Sequence, residues 1–457
     1  MKKEDRDLIR KYNIPGPRYT SYPTVPYWEV DDFTHGVWLQ TVKRSFEESN
    51  QKEGISLYIH LPFCENLCTF CACNKHITKR HSVEEPYIRY LLKEWQMYLD
   101  ILPDRPILTE LHLGGGTPTF FSPIHLKQLL DTILSTVTIE PKHTFSFEGH
   151  PNHTSREHFQ TLYDLGFHRT SFGVQDYDPK VQKAINRIQS FERVKLVTEW
   201  AKEIGYSSVC HEFVYGLPFQ SLTSVAQIGK NIAILRPDRV INYSYAHVPW
   251  KKGLGQRGFN EIDLPSVEFK QLFNEKLRGY LKTLGYQEIG MDHFALSHDS
   301  LYQSLHEKKI CRNFMGYTHS KTQLMISLGV SAIADSRYAF AQNTRDVKTY
   351  YQWLDQDRLP IFRGHILSTE DLIIRRHILN LMCKLETDWA EVSMQFEQLP
   401  EVLDRLDEIQ QDGLIKFFDN GIHITEIGRS FLRNICMAFD LRLIHNQTQT
   451  RIFSMTI

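Results

Sequence analysis

The sequence predicts an α/β protein: a partial (β/α)6 barrel of the TIM type, open on one side, with an N-terminal arm and a small, mostly helical C-terminal domain. Three observations carry this reading. Between residues 56 and about 250, six short apolar runs alternate with runs of helical period, and strand–helix–strand repetition implies right-handed crossovers and a parallel sheet. Six repeats fall short of the eight that close a barrel. Beyond residue 366 the spacing turns helical, as at Ile374, Ile378, Leu381, Met382 and Leu385. The division expected is 1–50 for the arm, 51–365 for the barrel domain and 366–457 for the helical domain.

In chain order, a short polar helix leads into a stretch holding Pro15, Pro17, Pro23 and Pro26 among Tyr19, Tyr22, Tyr27 and Trp28. The prolines exclude regular helix and the rings need a surface, so this is read as an arm draped over the barrel. Strands are expected at 56–63, 108–113, 144–148, 170–174, 208–215 and 240–246, and helices at 87–101, 124–137, 156–165, 191–204 and 224–235. A lysine- and glycine-rich loop at 251–258 precedes a helix at 266–283. The last third offers a hairpin at 414–418 and 421–425, then a helix at 426–443.

The 457 residues are 41% hydrophobic and 23% charged with a formal net charge of −1, which suits a large folded core and gives no basic field for nucleic acid or an anionic membrane. No run approaches the ~20 apolar residues of a membrane span, and the polar N-terminus has no signal core, so a cytoplasmic protein is expected. Cys210, Cys311, Cys383 and Cys436 stand singly, as buried thiols in a reducing compartment do.

The other four cysteines fall within ten residues, directly after the first strand. Cys64, Cys68 and Cys71 form C-x3-C-x2-C, which lets one loop wrap three thiolates around a metal group. A structural zinc site would want a second pair of ligands, and none follows. An iron–sulfur cluster held by three cysteines keeps one iron free for a ligand. Phe70 beside Cys71 would shield such a cluster from water. A zinc knuckle or a redox thiol pair is the alternative, although Cys71 and Cys73 are too close for the usual C-x-x-C redox motif.

In such folds ligands gather at the C-terminal ends of the strands. The second strand ends in Gly114, Gly115, Gly116 and Thr117, where a backbone without side chains can approach a ligand. The third brings Glu148, the fourth Gln175 and then Arg187, the fifth Glu212, and the sixth Ala246. Carboxylate, amide and guanidinium groups facing one mouth can bind a ribose diol, an adenine edge and a carboxylate. The basic loop, His293 and Arg312 are candidate partners of an acidic substrate.

With its three-cysteine loop, the Gly114 motif, Gly173-Val-Gln-Asp, Tyr215-Gly-Leu-Pro, Gly290-Met-Asp-His-Phe, Arg312-Asn-Phe-x-Gly-Tyr and Arg433-Asn-Ile-Cys-Met, the chain resembles the oxygen-independent coproporphyrinogen III oxidases of the radical S-adenosylmethionine (SAM) superfamily. The resemblance covers nearly the whole length. It implies a 4Fe–4S cluster on Cys64, Cys68 and Cys71, and SAM in contact with Tyr58, Phe70, Gly115, Gly116, Thr117, Glu148, Gln175, Arg187, Glu212, Ala246 and Ile333. It also implies a part in catalysis for Cys73 and Tyr58.

The implied substrate is a tetrapyrrole, the implied partners are an external electron donor and acceptor, and a monomer is expected. The related haem chaperone and other tetrapyrrole-modifying radical SAM enzymes are the rival readings. The chaperones lack the arm and have phenylalanine in place of Cys73. Departures from the family pattern are Glu212 for aspartate, Gly149-His150 for Val-Asp, and Met315 where some members carry a glutamine near a second SAM.

Overall fold

The computed structural model describes residues 3–30, 33–250, 255–256, 258–446 and 452–457. After helices α1 (Lys3–Tyr12) and α2 (His35–Ser49), the expected alternation begins. It runs β1 (Ile55–Leu61), α3 (Glu84–Leu99), β2 (Ile107–Gly115), α4 (Pro123–Ser135), β3 (Thr138–Gly149), α5 (Arg156–Asp164) and β4 (Phe167–Gln175). It continues with α6 (Pro179–Ala184), α7 (Phe191–Ile204), β5 (Ser208–Tyr215), α8 (Leu222–Leu235) and β6 (Arg239–Ser244). Helices α4, α5, α7 and α8 start at Ser122, Ser155, Ser190 and Ser221, whose hydroxyls accept from an amide of the first turn. These caps satisfy donors that a helix start would otherwise leave open.

The chain then forms α9 (Val267–Thr283), β7 (Gln287–Gly290), β8 (His293–Ala295), α10 (Ser300–His306) and the hairpin β9 (Cys311–Asn313) and β10 (Gly316–Thr318). Strands β11 (Leu324–Leu328), β12 (Ile333–Asp335) and β13 (Ala339–Asn343), helix α11 (Val347–Asp355) and β14 (Ile361–Ile366) follow. One twelve-stranded sheet has the order β14-β13-β12-β11-β1-β2-β3-β4-β5-β6-β8-β7. The six expected strands lie side by side and parallel within it. A further parallel strand, β11, pairs with β1, while β8 adds antiparallel to β6. The sheet is therefore wider than six repeats, with antiparallel flanks and, among the described residues, no pairing between its two edges.

Most boundaries shift by one to three residues, and two depart further. Strand β3 starts at Thr138, before the expected 144, although Pro141 interrupts its alternation. The helix expected at 426–443 is broken into a short turn at Gly428–Phe431, then α14 (Leu432–Met437) and α15 (Leu441–His445), after α12 (Thr369–Lys384) and α13 (Leu399–Gln411). The break turns Arg433 and Asn434 inward to bond backbone carbonyls, and buried Asp440 caps α15 through the Leu443 amide at 2.9 Å. The expected hairpin forms as Ile415–Phe418 against Gly421–Ile424, with a third strand, Glu386–Asp388, beside it.

The first fifty residues divide between two cores. Trp38, Val42 and Phe46 of α2 pack into the main core with the sheet and its helices. Ile9 and Tyr12 of α1, with Tyr19 and Tyr22, pack instead with Leu381, Leu406, Ile435 and Phe439. Arg433, 6% exposed, joins the pieces: Nε donates to the Pro17 carbonyl at 2.9 Å, Nη2 to that of Gly16, and Nη1 to those of Met455 and Thr456 at 3.2 and 3.0 Å. Among the described residues, no helix is long and apolar enough to cross a membrane.

Losing this guanidinium strands buried carbonyls, each worth ~1 kcal/mol or more when left unpaired. Arg433→Met is expected to lower unfolding free energy by about 3 kcal/mol and to speed proteolysis before Tyr22. Urea denaturation and limited digestion check both; unchanged curves would remove Arg433 from the frame.

Candidate active site

The strand ends open onto one cavity of about 460 Å³. Its first wall is the loop that leaves β1. Between Pro62 and Thr78 this loop has little regular structure, and neighbouring elements hold it. The His76 amide donates to the Pro62 carbonyl at 2.8 Å and that of Thr78 to Cys64 at 2.9 Å. The Thr69 amide reaches the Ile185 carbonyl at 3.0 Å, and Asn186 Nδ2 donates to the Leu67 carbonyl at 2.8 Å.

Cys64, Cys68, Cys71 and Cys73 all face the cavity. Thr117 Oγ1 lies 3.3 Å from Cys64 Sγ, and Arg187 Nη1 donates to Cys68 Sγ at 3.6 Å. Burial pushes the Cys64 thiol up to about 11. The Cys73 thiol beside Cys71 lowers Cys71 and is itself raised, and the charges of Lys75 and Arg187 act on Cys71 in the same direction. Such electropositive surroundings favour thiolate, the ligand form.

The glycine motif is needed for close approach. Gly115 adopts φ +118°, a region that side chains disfavour. A Cβ on Gly116 would sit 2.5 Å from the Pro62 carbonyl oxygen and 3.0 Å from Cys64 Sγ, so only a bare backbone passes behind the cysteine loop.

The remaining walls come from the next strands. Glu148 at the end of β3 is tied by Oε1 to His112 Nε2 at 3.3 Å, and His112 Nδ1 to Ser146 Oγ at 2.8 Å. Glu212, on β5, is raised to about 7 by burial and then by the Glu148 charge. Gln175 ends β4 at φ +68°. Arg187 donates from Nε and Nη2 to the Gly173 carbonyl at 3.1 and 2.6 Å, leaving Nη1 for Cys68. Phe70 packs with Val214, Leu217 and Tyr245, an apolar flank beside the thiols.

Of the residues expected to form the site, the structure brings Phe70, Gly115, Gly116 and Thr117 to this cavity, with Glu148, Gln175, Arg187, Glu212, Ala246 and the cysteines. Tyr58 and Ile333 stand outside its wall. Tyr58 lies behind Gly114, 7% exposed, with Oη 3.0 Å from His60 Nδ1 and its ring stacked on His112 at 6.0 Å. Ile333, the first residue of antiparallel β12, packs with Trp28, Phe340 and Leu367.

The substrate candidates also change. His293 is held neutral, its pKa lowered to about 3 by burial and by Arg312, and with Met315 it lines an adjoining chamber of about 120 Å³ that shares Glu148, Ser171, Glu212 and Tyr243 with the cavity. Arg312 lies over the Tyr317 ring at 4.7 Å beside Tyr19 and Tyr22, away from the cavity. Of the loop at 251–258, residues 251–254 and 257 lie outside the described residues.

Two residues were missed. Gln256, 2% exposed, donates from Nε2 to the carbonyls of Phe70 at 3.2 Å and Ala246 at 3.0 Å, and its Oε1 accepts from Val248 at 2.7 Å. Gln220 accepts from the amides of Gly216 and Leu217 at 2.7 and 3.0 Å and donates to Asp176 at 2.7 Å, fastening the end of β5 to that of β4.

The donor set fits a polynuclear thiolate-bound cluster. Among the described residues no three His, Cys, Asp or Glu side chains group around one metal ion. The fit rests on three cysteines of one loop facing the cavity, with carboxylate and guanidinium groups of Glu148, Glu212 and Arg187 on its other walls for a chelating ligand.

Comparison with known proteins agrees. Residues 58–230 match the model of the Radical SAM superfamily. An oxygen-independent coproporphyrinogen III oxidase of Helicobacter pylori is 37% identical over 449 residues, covering 97% of this chain and 98% of its own length. One of Escherichia coli K12 is 36% identical over 444 residues, with coverages of 96% and 95%. The solved structure of coproporphyrinogen III oxidase from Escherichia coli, described as a radical SAM enzyme, superposes with a TM-score of 0.89 at 34% identity, covering 96% of this chain and 99% of that one.

A methyl group at Gly116 has no room beside the cysteine loop. Gly116→Ala is expected to fold but to hold severalfold less iron after anaerobic reconstitution, read as iron per chain and absorbance near the sulfur-to-iron bands. Full iron loading in this variant would show that the contact yields without moving Cys64.

Proposed function

Since this chain belongs to the oxygen-independent coproporphyrinogen III oxidases of the radical SAM superfamily, we propose that it removes carbon dioxide from two propionates of coproporphyrinogen III. The product is protoporphyrinogen IX, an intermediate of haem formation. When bound, the 4Fe–4S cluster and SAM supply hydrogen-atom abstraction at the substrate carbon β to the carboxylate. Loss of carbon dioxide then leaves the vinyl group and one electron, which an external acceptor takes. An external donor, a monomeric state and a cytoplasmic setting complete the reading; the eight free cysteines accord with that setting.

The observation that carries this reading is the convergence of thiols, bare backbone and paired carboxylates on one cavity. Cys64, Cys68 and Cys71 would hold the cluster, and the Gly115–Thr117 turn and Gln175 would present hydrogen-bonding groups to SAM. Glu148 and Glu212 would accept from its amine and ribose hydroxyls, oriented by His112 and Ser171. Arg187 would hold the ligand wall and the cysteine loop in one register. Tyr58, behind Gly114, would support the glycine turn from below. Phe70 and its apolar neighbours would keep water from a reactive centre. Cys73, next to the ligands, would act on turnover and leave the cluster intact.

The test is an anaerobic assay of reconstituted protein with reductant, SAM, an electron acceptor and coproporphyrinogen III, with tetrapyrroles and 5′-deoxyadenosine measured together. Formation of protoporphyrinogen that depends on SAM is expected, abolished by Cys64→Ser, Cys68→Ser or Cys71→Ser. An active Cys68→Ser protein would sink the ligand assignment. Stable haem binding with no SAM consumption would favour the chaperone reading.

Because Glu212 is raised to about 7, it is mostly neutral at pH 6 and ionised at pH 8. Only the ionised form offers a full acceptor to a diol, so SAM affinity is expected to rise about tenfold across that interval. In Glu212→Gln the rise should vanish. Equilibrium dialysis with SAM reads both, and a flat profile in the unmodified protein would remove Glu212 from the binding set.

A further inference from the structure

Residues 16–19 of the N-terminal segment are fixed from both sides. Buried Arg433 bonds the carbonyls of Gly16 and Pro17. Tyr19, at φ +48°, donates its hydroxyl to Asp440 Oδ2 at 3.0 Å. A left-handed backbone is unfavourable at a tyrosine and persists only where the surroundings dictate it. Between these anchors stands Arg18, which among the described residues is the only one of the first fifty in the wall of the 460 Å³ cavity. The anchoring therefore places one guanidinium over the strand ends.

That guanidinium is short of acceptors. Nη2 donates to the Ser244 carbonyl at 2.5 Å, while Nη1 lies 3.6 Å from Asp292 Oδ2, beyond hydrogen-bond reach. Asp292 also feels the charges of Arg433, Arg312 and Arg278, although Arg278 is paired with Glu288, so this carboxylate does not serve Arg18 alone. On the cysteine loop, Lys75 repeats the pattern. Its Nζ donates to the carbonyls of Cys71 and Cys73 at 3.1 and 3.3 Å and has no carboxylate partner among the described residues, yet it lines the same cavity. Arg187 is engaged differently, with its bonds spent on Gly173 and Cys68.

We propose that Arg18 and Lys75 form a carboxylate clamp that holds two propionates of the tetrapyrrole while a third is presented for reaction. The proposal rests on the substrate reading above. Each cation has donors to spare, and a planar guanidinium matches a carboxylate in two-point contact. Two fixed charges at different places on one cavity wall orient a flat ligand whose edge carries several carboxylates, which selects the ring face and the propionate that reacts. The carboxylate of SAM is the other anion that could occupy either cation, and the test separates the two sources.

Holoenzyme purified anaerobically would be titrated by fluorescence with coproporphyrin III and with its uncharged tetramethyl ester, and by dialysis with SAM. Arg18→Gln and Lys75→Gln are each expected to weaken coproporphyrin III binding roughly tenfold, leaving the ester and SAM unaffected. Lys75→Arg should recover most of the loss. Lys75→Gln leaves the N-terminal segment untouched, so the test stands even if Arg18→Gln loosens that segment.

Equal weakening of acid and ester, or no weakening, would overturn the clamp while leaving the substrate reading intact, provided the unmodified protein prefers the acid. Loss of SAM binding in the variants would reassign the cations to SAM. If the unmodified protein binds neither porphyrin, the substrate reading falls, and the clamp with it.

Discussion

Three thiolates have to be presented on one loop with the fourth side left open, and a loop of that kind cannot stiffen itself. Its internal bonds are few, so it is held by what surrounds it. Ile185 and Asn186 hold it from the segment after β4, Gln256 from the segment after β6, and Gly116 by having no side chain. Each mooring reaches a different strand end, so the barrel top is assembled around the loop. The loop-closure entropy is met by these distant parts of the chain, and the same contacts set where the cavity lies.

A second dependency runs through Arg433. The main core would close without the first twenty residues, since α2 and the sheet supply it. The smaller core includes Ile9, Tyr12, Tyr19 and Tyr22 from the N-terminal segment beside helices far along the chain. Burying a guanidinium is unfavourable unless its donors are filled, and here backbone carbonyls from both ends of the described chain fill them. Burial and the neighbouring Arg18 lower this arginine to about 9, with Asp292 acting in the opposite direction. The smaller core thus carries the anchor for a cavity that the larger core forms.

Much of this was legible in the sequence because strand-end positions are fixed by periodicity. Once β1 through β6 are placed, the Cys64 loop, Gly116, Glu148, Gln175, Arg187 and Glu212 must converge. What could not be read was of two kinds. Gln220 and Gln256 act by reaching carbonyls and amides in space, and a glutamine in a loop has no pattern that reveals its bonds. Ile333, carried over by resemblance, sits on an antiparallel flank whose register depends on β11, a short buried run without alternation. The helix expected at 426–443 failed for a related reason: Arg433 and Asn434 are helical within α14, and the break falls beyond them, where buried Asp440 caps α15 and accepts from Tyr19, a tertiary bond that local propensity does not reveal.

Arg187 shows how the two halves of the site are made one. Nε and Nη2 are committed to the Gly173 carbonyl on the ligand wall, and Nη1 reaches Cys68 on the metal loop. A rigid planar group bonded at both ends transmits position, since neither wall can shift without losing a charge-assisted bond. Its charge also favours the thiolate forms of Cys64 and Cys71. Lysine at this place would supply the charge but lack the fork, and alanine would lose both. The sequence position, just after α6 and next to Ile185 and Asn186, which bond the cysteine loop at Thr69 and Leu67, is what lets one side chain span the gap between the two walls.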